Sequence, residues 1–189
     1  MAEPKVCVSL EAITVEEMID EATRANIAGA DYVEVRFDKL YLNKPEPITM
    51  VNDDGEEYSK MPPIEEWGVK DFEEIDVEQA IANLKEGIPV PVVFTTRAVR
   101  EGGFFAGTEQ ERLQILELGI KSEVSFVDLE LSIEKKSRDK LVKLASSSNC
   151  QVIASIHETK ATPSAEEIVT MVRDNSCLLY TSDAADYRN

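Results

Sequence analysis

The chain has 189 residues, 43% of them hydrophobic, with 20 basic side chains against 37 acidic ones and a formal net charge of −17. This length suits one domain with a real core, and such a charge repels phosphate backbones and argues against a nucleic-acid partner. No apolar stretch approaches the roughly 20 residues of a membrane span. The N-terminus Met1-Ala2-Glu3-Pro4-Lys5 lacks the charged and apolar regions of a signal peptide, so no membrane partner and a cytoplasmic location are expected.

Strand-like and helix-like segments alternate along the chain. The first predicted strand is Lys5 to Leu10. Thr14 and Glu17 then have capping-box spacing, opening a helix with Val15, Met18, Ile19 and Ala22 on one face and Gly29 at its end. The second strand is Asp31 to Phe37. Residues 39–75 break the rhythm with four prolines and many acids, and are expected to be a solvated surface insertion with Asp53-Asp54-Gly55 as the tip of a small hairpin. Asp76 and Gln79 have capping-box spacing before the stripe Val77, Ala80, Ile81 and Leu84, which Gly87 ends. The third strand is Pro91 to Arg97. A helix opened by Thr108 and Glu111 carries Leu113, Leu116 and Ile120.

The fourth strand, Ser125 to Leu131, precedes a helix carrying Leu141 and Leu144. The fifth strand, Gln151 to His157, ends on the single histidine of the chain. Pro163 is expected at the first position of a last helix, with Ile168, Val169 and Val172 inward. Cys7, Cys150 and Cys177 are widely spaced and, with one histidine, form no metal pattern. Cys7 and Cys150 are expected to be reduced thiols of the core, as in a cytosolic protein.

Five βα units fit either a doubly wound sheet or a (βα)8 barrel. The polar residues favour the barrel. Ser9, Glu34 with Arg36, Arg97, Asp128 with Glu130, and His157 all fall in or at the ends of successive strands, as at a barrel mouth. The first loop, Glu11-Ala12-Ile13, has no glycine of the kind a doubly wound sheet uses. The expected fold class is therefore α/β of the (βα)8 TIM-barrel type, here an incomplete barrel of about five units over residues 1–174, with the acidic insertion at 39–75.

Two residues apart on a strand, Glu34 and Arg36 point the same way, and must either pair with each other or face a partner or ligand. Asp128 and Glu130 repeat the spacing, and read either as an interior polar network or as substrate contacts. Arg97 at a barrel mouth suits hydroxyl or carboxylate recognition. Gly102-Gly103 permits a bend that brings Glu101 back over the site, where a carboxylate would orient the His157 imidazole.

The strings Val33-Glu34-Val35-Arg36-Phe37-Asp38, Phe94-Thr95-Thr96-Arg97 with Glu101-Gly102-Gly103, Val127-Asp128-Leu129-Glu130, and Ser155-Ile156-His157 with Lys160-Ala161-Thr162-Pro163-Ser164 resemble type I 3-dehydroquinate dehydratase. The resemblance runs from Lys5 to about Asp174. It implies a shikimate-pathway barrel lyase that converts 3-dehydroquinate to 3-dehydroshikimate and water through a Schiff base, with no metal, nucleotide or other cofactor. It implies that His157 is the general acid/base and Glu101 its partner, and that Glu34, Arg36 and Arg97, with Ser9, bind the small-molecule substrate. A homodimer is left open.

The Schiff-base lysine of the family would lie on the strand after the Pro163 helix, and no lysine follows Lys160. Residues 175–189 are expected to be a tail outside the family, a truncated or misjoined end, and this 189-residue chain is expected to be inactive. Competing expectations are another Schiff-base barrel lyase, such as a class I aldolase, and a barrel-derived binding module that keeps recognition without chemistry. Strands left open at both edges are expected to make the chain self-associate.

Overall fold

The structure is a computed structural model, and it describes residues 4–159 and 161–175. In chain order its elements are β1 (Cys7–Ser9), α1 (Val15–Ile27), β2 (Tyr32–Arg36), β3 (Leu42–Asn43), β4 (Ile48–Val51), β5 (Glu57–Lys60), β6 (Gly68–Val69), α2 (Val77–Gly87), β7 (Val92–Thr95), α3 (Glu109–Lys121), β8 (Phe126–Glu130), α4 (Lys135–Ser146), β9 (Gln151–Ser155) and α5 (Ala165–Asn175). The strands β1, β2, β7, β8 and β9 form one wholly parallel sheet in that spatial order. It is the open arc of a barrel.

Register explains where the core sits. Ser9 pairs with Glu34, Arg36 with Thr95, Val93 with Phe126, and Glu130 with Ser155. Paired residues point to the same face, and side chains alternate along each strand. Ser9, Glu34, Arg36, Thr95, Asp128, Glu130 and Ser155 therefore share one face. Val33, Val35, Phe94, Val127 and Leu129 share the other, where they are buried beneath the helices. The apolar strands are thus one-sided.

The helices are fixed by their ends. Thr108 and Glu111 form a complete capping box on α3. Thr14 caps α1 and Asp76 caps α2, but the reciprocal half of the expected boxes is missing: Gln79 donates instead to Asn83 at 2.8 Å. Gly29, at φ 96°, closes α1 with the Ala30 N–H bonded to the Ala25 carbonyl and its own N–H to the Asn26 carbonyl. Gly87 acts differently from expectation. It is the last residue of α2, and a Cβ there would lie 2.5 Å from the Ile19 Cδ1, so its smallness serves the α1–α2 contact.

Four further expectations are corrected. Pro163 does not open the last helix; Ser164 caps it through a box with Glu167, and α5 begins at Ala165. Ile168, Val169 and Val172 are 43–61% exposed rather than inward, because β9, the strand before α5, is an edge of the described sheet and offers only half a layer to pack on. Cys7 is exposed on the polar face of the other edge strand, whereas Cys150 is buried. The His157 strand also stops early, at Ser155.

The acidic insertion is anchored at both ends. Phe37–Tyr41 makes a buried 3₁₀ turn straight after β2, and Tyr41 stacks on Phe72 and meets Phe105 edge-on, at ring distances of 6.4 and 5.1 Å. Between these anchors the β3–β6 pair carries the β4–β5 hairpin, turned at Asp53-Asp54-Gly55 and exposed on both faces.

Candidate active site

The polar face of the sheet converges on Arg97, which is 5% exposed just beyond the end of β7. Its Nη2 lies 2.7 Å from Asp128 and 3.6 Å from Glu34, and its Nη1 lies 3.8 Å from Glu130. Ser9 donates to Glu34 at 2.7 Å. Glu34 and Arg36 do not pair with each other. Arg36 instead holds Asp38 through two hydrogen bonds of 3.0 and 2.8 Å. Asp128 and Glu130 form an interior network rather than standing free. Burial pushes both carboxyls above the ordinary carboxylate range, with Arg97 only partly offsetting it for Asp128 and Arg112 only partly for Glu130.

Two glycines deliver Glu101. The chain turns through a 3₁₀ segment, Val99–Glu101, that ends on Gly102 at φ 76°. Gly103 then packs so closely on the Arg97 carbonyl that a Cβ would lie 2.1 Å from its oxygen. The result is a buried Glu101 whose Oε2 lies 3.1 Å from Nδ1 of the half-buried His157. Arg97 Nη1 approaches the same Nδ1 closely.

Three residues at this site carry roles that the sequence reading missed. Asp38 is fully buried and accepts four hydrogen bonds: two from Arg36, one from the Arg97 N–H at 3.2 Å and one from the Phe104 N–H at 3.0 Å. Arg112, 1% exposed, joins Glu130 to Glu109 and donates to the Thr96 carbonyl at 3.0 Å. Ser132 donates to Glu101 Oε1. The signal for Arg112 was present: it stands four and eight residues before Leu116 and Ile120, on an inward stripe where a charge needs a buried partner.

The sequence that carries these elements matches a known family. The family described as type I 3-dehydroquinase matches residues 6–177. The chain belongs to the type I 3-dehydroquinase family. It is 28% identical over 165 residues to a 3-dehydroquinate dehydratase of Methanosarcina acetivorans, covering 86% of this chain and 56% of that one. It is 30% identical over 169 residues to that of Methanothermobacter thermautotrophicus, covering 89% and 59%. The type I 3-dehydroquinate dehydratase structure from Clostridium difficile superposes with a TM-score of 0.70 at 24% identity, over 94% of this chain and 60% of that one, and shares the fold.

The chain thus spans somewhat more than half the length of these dehydratases. The parallel sheet and its helices are a TIM-barrel α/β arrangement whose barrel is not closed. Lys160 and the whole of 176–189, including Cys177, lie outside the described residues. Among the described residues no cluster of side chains suits a metal ion, and no helix is long and apolar enough to cross a membrane.

Proposed function

We propose that this chain supplies the acid–base and hydroxyl-binding part of a 3-dehydroquinate dehydratase site. The observation that carries the reading is the 3.1 Å approach of Glu101 to His157, with Arg97 and Glu34 on the same face of the sheet. Glu101 accepts the Nδ1 proton and leaves Nε2 as the base. In the family reaction a lysine amine adds to the substrate ketone and loses water to form an iminium, which acidifies the adjacent carbon–hydrogen bond. His157 takes that proton. It then returns it to the departing hydroxyl, which leaves as water, and hydrolysis of the iminium frees the product and the amine. Arg36, Arg97, Glu34 and Ser9 hold substrate hydroxyls, and the enzyme works in the cytoplasm.

The lysine is not supplied by these residues in the reading, since none follows Lys160. The test joins residues 1–174 to the later strands of a dehydratase relative and follows absorbance of the enone product. Turnover should appear and should fall by about 10²–10⁴-fold in His157→Ala. Borohydride reduction with substrate should trap the adduct on the supplied lysine and none on Lys160. Turnover by the 189-residue chain alone, lost in His157→Ala, would overturn this reading of the nucleophile.

A further inference from the structure

His157 Nδ1 has two suitors, and they demand opposite proton positions. A guanidinium only donates, so pairing with Arg97 requires an unprotonated Nδ1 and puts the neutral ring's proton on Nε2. A carboxylate only accepts, so pairing with Glu101 requires Nδ1–H and leaves Nε2 bare. Only the second form can take a proton at Nε2. What decides between them is how firmly Glu101 Oε2 is held toward the ring.

The other oxygen of that carboxylate, Oε1, is bound by the Ser132 hydroxyl. Ser132 lies two residues past the end of β8, on a different strand end from Glu101. Its hydroxyl is itself oriented. Arg100 Nη2 and Nε lie 3.2 and 3.4 Å from Ser132 Oγ, and as Arg100 can only donate, the hydroxyl accepts from it and turns its own proton to Glu101. Arg100 is in turn held by Glu109 at 2.9 and 3.3 Å, at the start of α3. Arg100 thus donates to both Glu109 and Ser132, Ser132 donates to Glu101, and the other oxygen of Glu101 accepts from His157 Nδ1.

We propose that Ser132 is a positioning residue that fixes the Glu101 carboxylate and thereby selects the Nδ1–H tautomer of His157 against the competing contact from Arg97. The importance of that tautomer for turnover rests on the dehydratase reading; the tautomer itself does not. Ser132 is exposed and its removal leaves no cavity, so the fold does not depend on it.

His157 is the only histidine, so a nitrogen-15-labelled chain gives a single imidazole pattern in a long-range proton–nitrogen spectrum, and the two neutral tautomers have distinct nitrogen shifts. The 189-residue chain should show mainly the Nδ1–H form. Ser132→Ala should lower the ratio of Nδ1–H to Nε2–H by about fivefold, the equivalent of one ordinary net hydrogen bond. Ser132→Thr, which keeps the hydroxyl, should restore it. An unchanged ratio in Ser132→Ala, or a threonine variant that behaves like alanine, overturns the proposal. The spectrum needs no turnover, so an inactive joined chain would count against the dehydratase reading and leave this result standing.

Discussion

The backbone N–H of Arg97 donates to the carboxylate of Asp38 at 3.2 Å, across 59 residues of sequence. The other oxygen of the same carboxylate receives the Phe104 N–H, 66 residues away. A single buried side chain therefore ties the end of β2 to both limbs of the loop that presents Glu101. Asn at this position would turn an amide N–H₂ toward donors. Asp38→Asn is expected to lose about 3 kcal/mol of unfolding free energy in urea, because it breaks a buried, hydrogen-bonded charge pair. A loss below about 1 kcal/mol, within the range of an ordinary net hydrogen bond, would mean that the four bonds are not held in solution.

The two loop glycines make a discriminating pair. Gly102 has the positive φ, yet alanine there meets only Thr159 Cγ2 at 3.3 Å. The cost should be the backbone strain alone, about 1–2 kcal/mol. Gly103 has no positive φ, but its Cβ would overlap the Arg97 backbone. Gly103→Ala should be the more damaging of the two in thermal unfolding. Equal effects would show that the loop relaxes freely.

Removing one partner of a buried ion pair ordinarily costs about 3–5 kcal/mol. Asp128→Asn should cost much less, no more than about 1 kcal/mol at neutral pH, because Glu34 and Glu130 also face Arg97 and burial already disfavours the Asp128 charge. The pH dependence has a definite sign. A carboxyl with a raised folded-state pKa binds its proton more tightly when folded. Its contribution to stability is present below the unfolded value, near pH 4, and is lost as pH rises through the higher folded value. Unfolding free energy measured from acid to neutral pH should therefore fall less in Asp128→Asn than in the parent chain. A steeper fall in the variant would reverse the assignment.

Burial pushes the Cys150 thiol up to about 11. Only about one in a thousand molecules would carry its thiolate at pH 8. The Cys7 thiol is also raised, first by burial and then by Glu34, but it is exposed. Alkylation of the folded chain followed by peptide mass mapping should modify Cys7 and spare Cys150 until denaturant is added. Equal labelling of the two would contradict the burial of Cys150.

Ile168, Val169 and Val172 of α5, Ile153 in the edge strand β9 and Ile156 just after it are all at least 37% exposed. Open edges and apolar faces template association. Light scattering should show self-association that grows with concentration, including a homodimer at low concentration, and a double substitution Ile168→Lys with Val172→Lys should reduce it. A monomer at every concentration would refute this.

Much of the site was legible because period-two alternation is local. Glu34 with Arg36 and Asp128 with Glu130 announce one polar face from spacing alone, and the cap at Thr108 needs only four residues to recognise. Asp38 continues the same alternation beyond Arg36, but its significance comes from backbone donors far along the chain, which no local pattern reveals. Ser132 is a commonplace loop residue until its neighbour across the sheet is known. The error at α5 has the same origin. An apolar stripe tells which face of a helix seeks cover, and only the tertiary layer beneath tells whether that cover exists.

Within the five-stranded sheet, spatial order follows chain order. During synthesis, each new strand of this sheet can dock on the edge left by the previous one, without waiting for a distant segment to return. Asp38, Arg97, Glu101 and Ser132 all emerge before His157. The histidine is therefore the last of these groups to arrive, and it meets a socket whose charges have already been set in place by the residues made before it.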